Sequence, residues 1–143
     1  MTVGRILVAK GRDVVTIQPH RSVLDAAGLL ARKGIGALIV VDSETRVRGV
    51  FSERDLVRLL AAKGAAALQE PVGDWMTLNV VTTCERASVH SLMAQMTEGR
   101  FRHLPVMEGE RIVGIVSIGD VVKQRLAEME QEQQAMREYI ASA

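Results

Sequence analysis

Residues 46–58, RVRGVFSERDLVR, and residues 111–123, RIVGIVSIGDVVK, are two versions of one phrase. They share Arg46/Arg111, Gly49/Gly114, Ser52/Ser117, Asp55/Asp120 and Val57/Val122, and their apolar positions coincide as well. Upstream the likeness continues, because residues 13–41, DVVTIQPHRSVLDAAGLLARKGIGALIVV, lie on 79–107, NVVTTCERASVHSLMAQMTEGRFRHLPVM, without a gap. Seven further identities fall there: Val14/Val80, Val15/Val81, Thr16/Thr82, Ser22/Ser88, Val23/Val89, Leu38/Leu104 and Val40/Val106. Chance would supply roughly two or three identities over the combined length, so the chain is a tandem repeat. Val3-Gly4 and Val72-Gly73 extend the correspondence. The expected boundaries are 3–63 for the first repeat, 64–71 for a linker, 72–127 for the second repeat and 128–143 for a C-terminal helical extension.

Each copy reads as β-α-β-β-α. Val14 to Ile17 is a short β-branched run, and Val80 opens its counterpart. Ser22 with Asp25, and Ser88 in the second copy, stand where a helix N-cap is wanted. The expected apolar faces of these helices are Leu24, Ala27, Leu30 and Ala31, then Leu92, Met93 and Met96, with Gly34 and Gly99 as stops. Ala37–Val41 and Leu104–Met107 follow as apolar strands, each close enough to the next (Arg46–Phe51, Arg111–Val116) to form a hairpin. Ser52 and Ser117 then open the last helices, whose apolar faces are Leu56, Leu59, Leu60 and Val121, Val122, Leu126. A unit of about 60 residues buries its sheet face poorly alone, so the two are expected to pack as a pseudo-two-fold α/β (α+β) pair.

Composition narrows the function classes. Lys plus Arg number 18 and Asp plus Glu 17, so no single-sign field gathers nucleic acid or a membrane surface. Four aromatics, Phe51, Trp75, Phe101 and Tyr139, are too few for a base-stacking platform. Cys84 is alone, which excludes a disulfide framework. No stretch approaches the ~20 apolar residues of a membrane span. The run at Met1–Lys10 is too short for a signal peptide, so a soluble, cytoplasmic protein is expected. His20, Cys84, His90 and His103 lack metal-ligand spacing, and no phosphate-loop, Gly-x-Ser-x-Gly or His-Glu-x-x-His motif occurs. Neither a metal nor catalysis is expected.

The doubled Ser-x-x-Asp has two readings. As a helix cap, Ser at the N-cap accepts from a free N–H and Asp one turn later suits the positive helix end. As a ligand site, the helix N-terminus and hydroxyl hold an anion while the carboxylate accepts ribose hydroxyls. Spacing alone leaves both open.

The tandem unit, with Gly-Val-Phe-Ser-Glu-Arg-Asp and Gly-Ile-Val-Ser-Ile-Gly-Asp closing the copies and Arg102-His103-Leu104-Pro105-Val106 in the second, resembles a cystathionine β-synthase (CBS) domain pair, or Bateman module. The resemblance covers about 3–127. It implies clefts for adenosine-containing molecules such as AMP, ADP, ATP, NAD or S-adenosylmethionine. Carried over by position, Asp55 and Asp120 would hold ribose, while Ser52, Arg54, Ser117, Arg102 and His103 would face phosphate. Thr16, Ile17, Thr82 and Thr83 would border base or sugar, with Ile35, Gly36, Ala37 and Phe101 on the opposite wall. The copies differ in where they carry cations. Arg54 has Gly119 as its counterpart, and Arg102-His103 replaces Gly36-Ala37.

In the C-terminal segment Leu126, Met129, Gln133, Met136 and Ile140 step by 3, 4, 3, 4, a coiled-coil-like seam interrupted by Gln133. CBS pairs commonly dimerise, so a homodimer is expected. The expected function is a regulatory sensor of adenosine nucleotides that signals to a protein target the sequence does not name. The alternative is an interaction or dimerisation module with empty clefts, in which Ser52 and Asp55 serve only as caps.

Overall fold

The computed structural model describes residues 1–78 and 81–142. Asn79 and Val80, where the second copy's first strand was expected to open, and Ala143 lie outside them. In order along the chain come α1 (Val3–Lys10), β1 (Thr16–Ile17), α2 (Val23–Lys33), β2 (Ala37–Val41), β3 (Val47–Ser52) and α3 (Glu53–Lys63). Two 3-10 turns, Gly64–Gln69 and Val72–Asp74, lead to α4 (Val89–Gly99), β4 (His103–Glu108), β5 (Arg111–Ser117) and α5 (Ile118–Ser142).

The repeat is visible hydrogen bond by hydrogen bond. In the first copy β1 runs parallel to β2, with Ile17 opposite Val40, and β2 runs antiparallel to β3. In the second, β4 and β5 form the antiparallel pair, and Thr83 bridges Val106 in parallel. Thr83 and Val106 are the repeat equivalents of Ile17 and Val40. Even the irregularity recurs, between Val40 and Val41 and between Val106 and Met107. The helices start as the sequence indicates, with Ser22 Oγ accepting from the Asp25 N–H and Ser88 Oγ from the Ser91 N–H, at 3.0 Å each.

Three local expectations are corrected. Gly99 does not stop α4; the left-handed residue is Arg100 (φ 57°), where the first copy has Gly34 (φ 62°). The buried stripe of α2 is Val23, Ala26 and Leu30, while Leu24 is exposed. Stripes i, i+3, i+7 starting at 23 or 24 are both periodic, and the first is the one packed with Leu38, Val40 and Phe51. Met93, Val122 and Leu126 likewise face solvent rather than the core.

The core is built by exchange. Val3, Ile6 and Leu7 of α1 are buried with Val89, Leu92, Met96, Leu104, Val106, Val116 and Val121 of the second repeat. Ala67 and Val72, with Leu68 and Met76 packed alongside, close the core of the first repeat around Val23, Leu30, Leu38, Val40 and Phe51. Each leading segment therefore completes the other repeat. The crossing is symmetric: Val3 N–H and Gly4 N–H donate to Ala87 and Glu85 carbonyls, and Val72 N–H and Gly73 N–H donate to those of Arg21 and Pro19.

This exchange explains the glycine in the doubled phrase. A Cβ on Gly114 would lie 2.7 Å from Leu7 Cδ2, and one on Gly49 would lie 2.7 Å from the Thr77 carbonyl oxygen and 2.8 Å from Met76 Sδ. Leu7 and Met76 hold equivalent places in the two leading segments. Gly114→Ala is accordingly expected to lower stability in urea denaturation by roughly 1–3 kcal/mol, the usual cost of overpacking. Adding Leu7→Ala should recover part of the Gly114→Ala loss, because the clashing methyl groups are gone. Strictly additive losses would mean that the two residues do not meet.

Candidate functional site

Two clefts open between the repeats, and each draws one wall from either copy. The first, about 450 Å³, takes Gly36, Val50, Ser52, Glu53, Arg54, Asp55 and Arg58 from the first repeat. Opposite them lie Val81, Gly99, Arg100, Phe101, Arg102 and His103, with Thr77 at the crossing. The second, about 330 Å³, sets Ile115, Ser117 and Asp120 against Val14, Val15 and the Gly34–Ala37 turn. Lys10, Asp13 and His103 complete it. The two openings are images of one another: residues 34–37 in one are replaced by Arg100-Phe101-Arg102-His103 in the other. His103 lines both.

At both helix starts the cap and the ligand reading are compatible. Asp55 N–H donates to Ser52 Oγ at 3.2 Å, and Ser52 N–H returns the bond to Asp55 Oδ2 at 2.9 Å. Ser117 and Asp120 repeat this at 3.1 and 2.8 Å. These are reciprocal capping boxes, each satisfying two otherwise free donors. Every bond that these carboxylates accept falls on Oδ2, so among the described residues Oδ1 of each remains available to a ligand. All four residues line a cleft and are only partly buried.

Charge divides the clefts sharply. The first is lined by four arginines, Arg54, Arg58, Arg100 and Arg102, and by two acidic residues, Glu53 and Asp55. Arg54 and Arg58 share a face of α3 because they stand four residues apart. Arg100 is held in the left-handed region, which a non-glycine residue occupies at a conformational cost, and such strain gathers at functional sites. The second cleft holds one ammonium, Lys10, against Asp13 and Asp120. Lys10 Nζ reaches from the end of α1 to Asp120 Oδ2 (2.6 Å) and to the Ile115 carbonyl (2.9 Å). Burial alone would raise the Asp120 carboxyl, but the Lys10 ammonium and the Ser117 N–H outweigh it and hold the group below the ordinary carboxylate value. At His103, burial depresses the imidazole below the usual histidine value, against the opposing pull of the Asp120 carboxylate.

The structure gathers Ser52, Arg54, Asp55, Phe101, Arg102 and His103 in the first cleft, and Ile35, Gly36, Ala37, Ser117 and Asp120 in the second. Gly36 borders both. Thr16, Ile17, Thr82 and Thr83 lie outside both linings. Ile17 is in the first repeat's core, and Thr83 is buried with its N–H and carbonyl paired to β4. The wall is formed two residues earlier, by Val14, Val15 and Val81, at the entry to the first strand of each copy. Lys10, Arg58 and Arg100 were not foreseen. Arg58 carried a signal, its i,i+4 relation to Arg54, and so did Arg100, an arginine standing where the other copy has a cap glycine. Lys10 carried none, because its place follows from the exchange of α1. Among the described residues no group of His, Cys, Asp or Glu is arranged to hold a metal ion.

Comparison with known proteins agrees with this architecture. The CBS domain model matches residues 4–62 and 72–127. The crystal structure of the CBS-domain containing protein ATU1752 from Agrobacterium tumefaciens is similar at a TM-score of 0.84 and 51% identity, over 87% of this chain and 92% of that one. The CBS domain pair of protein MJ0100, solved in complex with 5'-methylthioadenosine and S-adenosyl-L-methionine, gives 0.80 and 25% identity over 90% and 98% of the two chains. CBSX2, solved in complex with AMP, gives 0.70 and 29% identity over 81% and 90%.

The depressed His103 value makes stability depend on pH with a definite sign. The unfolded chain binds this proton more tightly, so stability falls as pH drops from about 6.5 through the folded-state value. His103→Gln should flatten that part of the curve. Urea midpoints at pH 5.5 and 7.5 check it: the wild type should lose more on acidification than the variant, and equal losses would contradict the burial of this ring.

Proposed function

The chain belongs to the CBS-domain family, and we propose that it is a regulatory module holding an adenosine-containing nucleotide between its repeats, with the first cleft as the phosphate-binding site. The observation that carries the reading is that Arg54, Arg58, Arg100 and Arg102 line one cleft of about 450 Å³ together with Ser52 and Asp55. MJ0100 is solved with 5'-methylthioadenosine and S-adenosyl-L-methionine and CBSX2 with AMP. The adenosine moiety is common to all three.

In this reading Asp55 accepts ribose hydroxyls through Oδ1 while Oδ2 keeps α3 capped. The α3 N-terminus and the arginines face phosphate, for which planar guanidinium offers paired, charge-assisted bonds. Phe101 and Val81 supply an apolar surface for the base. The second cleft, with one ammonium and two carboxylates, suits adenosine or a ligand of low charge, and Lys10 must release Asp120 Oδ2 or share it. Because each cleft has one wall from each repeat, a ligand favours the arrangement in which both walls contact it. That shifts the population a protein target reads. No catalytic step is part of the reading, and a cytoplasmic homodimer is its expected form. Among the described residues no helix is long and apolar enough to cross a membrane.

Calorimetric titration separates phosphate recognition from adenosine recognition. Arg102→Ala is expected to weaken AMP about ten-fold or more, the loss of a charged bond of about 1.5–3 kcal/mol, and adenosine less than two-fold. Equal losses would show that Arg102 only supports structure. Asp55→Asn keeps the shape and one acceptor but removes the charge, and is expected to weaken both ligands about equally. If it binds both normally while its melting temperature falls, Ser52 and Asp55 are caps alone and the clefts have an interaction role instead.

A further inference from the structure

Helix α5 runs unbroken from Ile118 to Ser142, 25 residues and about 37 Å at 1.5 Å per residue. Its module-facing side is short: Val121 is buried, and Gln124 and Glu128 are partly covered. After Glu128 every described residue is exposed. Val122, Leu126, Met129, Met136 and Ile140 are 53%, 56%, 47%, 59% and 67% exposed. With Gln133 they form a heptad seam of alternating three- and four-residue steps, about a third of a turn away from the module-facing side. The module therefore leaves this stripe open.

We propose that the occupant is the same helix of a second copy, in a parallel two-stranded coiled coil. The charges flanking the seam decide both partner and direction. With Leu126, Gln133 and Ile140 at the a positions, the charged g and e positions are Lys123, Arg125, Glu130, Glu132 and Arg137, and Tyr139 holds the last g. In a parallel pair each g residue meets the e residue five places on in the other helix. That sets Arg125 against Glu130 and Glu132 against Arg137, so all four contacts of the dimer are attractive. The antiparallel arrangement on the same seam sets Glu130 and Glu132 each against its own copy, and Lys123 against Arg137, all of like sign. Gln133 falls at a central a position, where two copies can bond to each other and fix the register. Arg125 now pairs with Glu128 of its own helix at 2.9 Å, an exposed contact readily exchanged for Glu130 of a neighbour. Pairing along the seam leaves Val121, on the module-facing side, packed in its own module.

The test uses the full chain and sedimentation equilibrium at low and high salt. Glu132→Arg and Arg137→Glu each create like-charge contacts and are expected to raise the dimer dissociation constant on the order of ten-fold, less so at high salt. The double variant restores the attraction in reverse and should return to the wild-type constant. A monomeric wild type, unaffected single variants or an unrestored double variant would overturn the proposal. Ile140→Cys in a Cys84→Ser background gives a second readout. The parallel pair should form a disulfide-linked dimer on mild oxidation, and absence of that product from a dimeric sample would mean that the helices do not run in parallel. AMP titrations of the charge variants should match wild type, since none of these residues lines a cleft.

Discussion

The crossing of the two leading segments is the constraint on which the remaining structure depends. A repeat of this size has one sheet face and two helices with which to enclose a core, and the enclosure stays open at one side. Here that side is closed by a helix or turn borrowed from the other copy: Leu7 over Gly114, and Met76 with Thr77 over Gly49. Neither repeat then holds a complete core by itself. The repeats are locked at a fixed relative position, and the clefts between them are a consequence of that lock.

The same crossing makes the clefts unequal. Because α1 ends at the second cleft, Lys10 arrives beside Asp120 and neutralises the carboxylate that the repeat symmetry would otherwise leave open. Among the described residues no equivalent cation is bonded to Asp55, whose box is bonded only within the first copy. The arginines of the first cleft come instead from the substitutions that separate the copies: Arg100 and Arg102 stand where Gly34 and Gly36 stand in the other repeat. Duplication supplied two like cavities, and a few side chains gave them different charge.

Much of this was legible in the sequence, and the reasons are specific. The repeat could be read because glycine, serine and aspartate each meet a geometric demand, and those demands do not change between copies. Ser52 and Asp55, like Ser117 and Asp120, sit at helix starts as their spacing indicates. The helix faces were less legible. Leu24, Met93, Val122 and Leu126 continue apolar periodicities that the core does not use, since burial is decided by what packs opposite and not by the helix alone. The cleft wall at Val14, Val15 and Val81 was displaced from Thr16, Ile17, Thr82 and Thr83 because β1 begins only after the chain has passed the opening. Lys10 was invisible for a topological reason: nothing in Met1–Lys10 announces which repeat it joins.

The central claim is that the arginine-lined cleft, formed jointly by the two repeats, holds a phosphate-bearing adenosine ligand. Native mass spectrometry of the intact chain with excess AMP, for the wild type and for a variant carrying both Arg100→Ala and Arg102→Ala, tests it most directly. The account predicts a defined AMP adduct on each folded wild-type chain and its loss from the variant at unchanged fold. A wild-type chain that carries no AMP, or a variant that carries as much as the wild type, would contradict it.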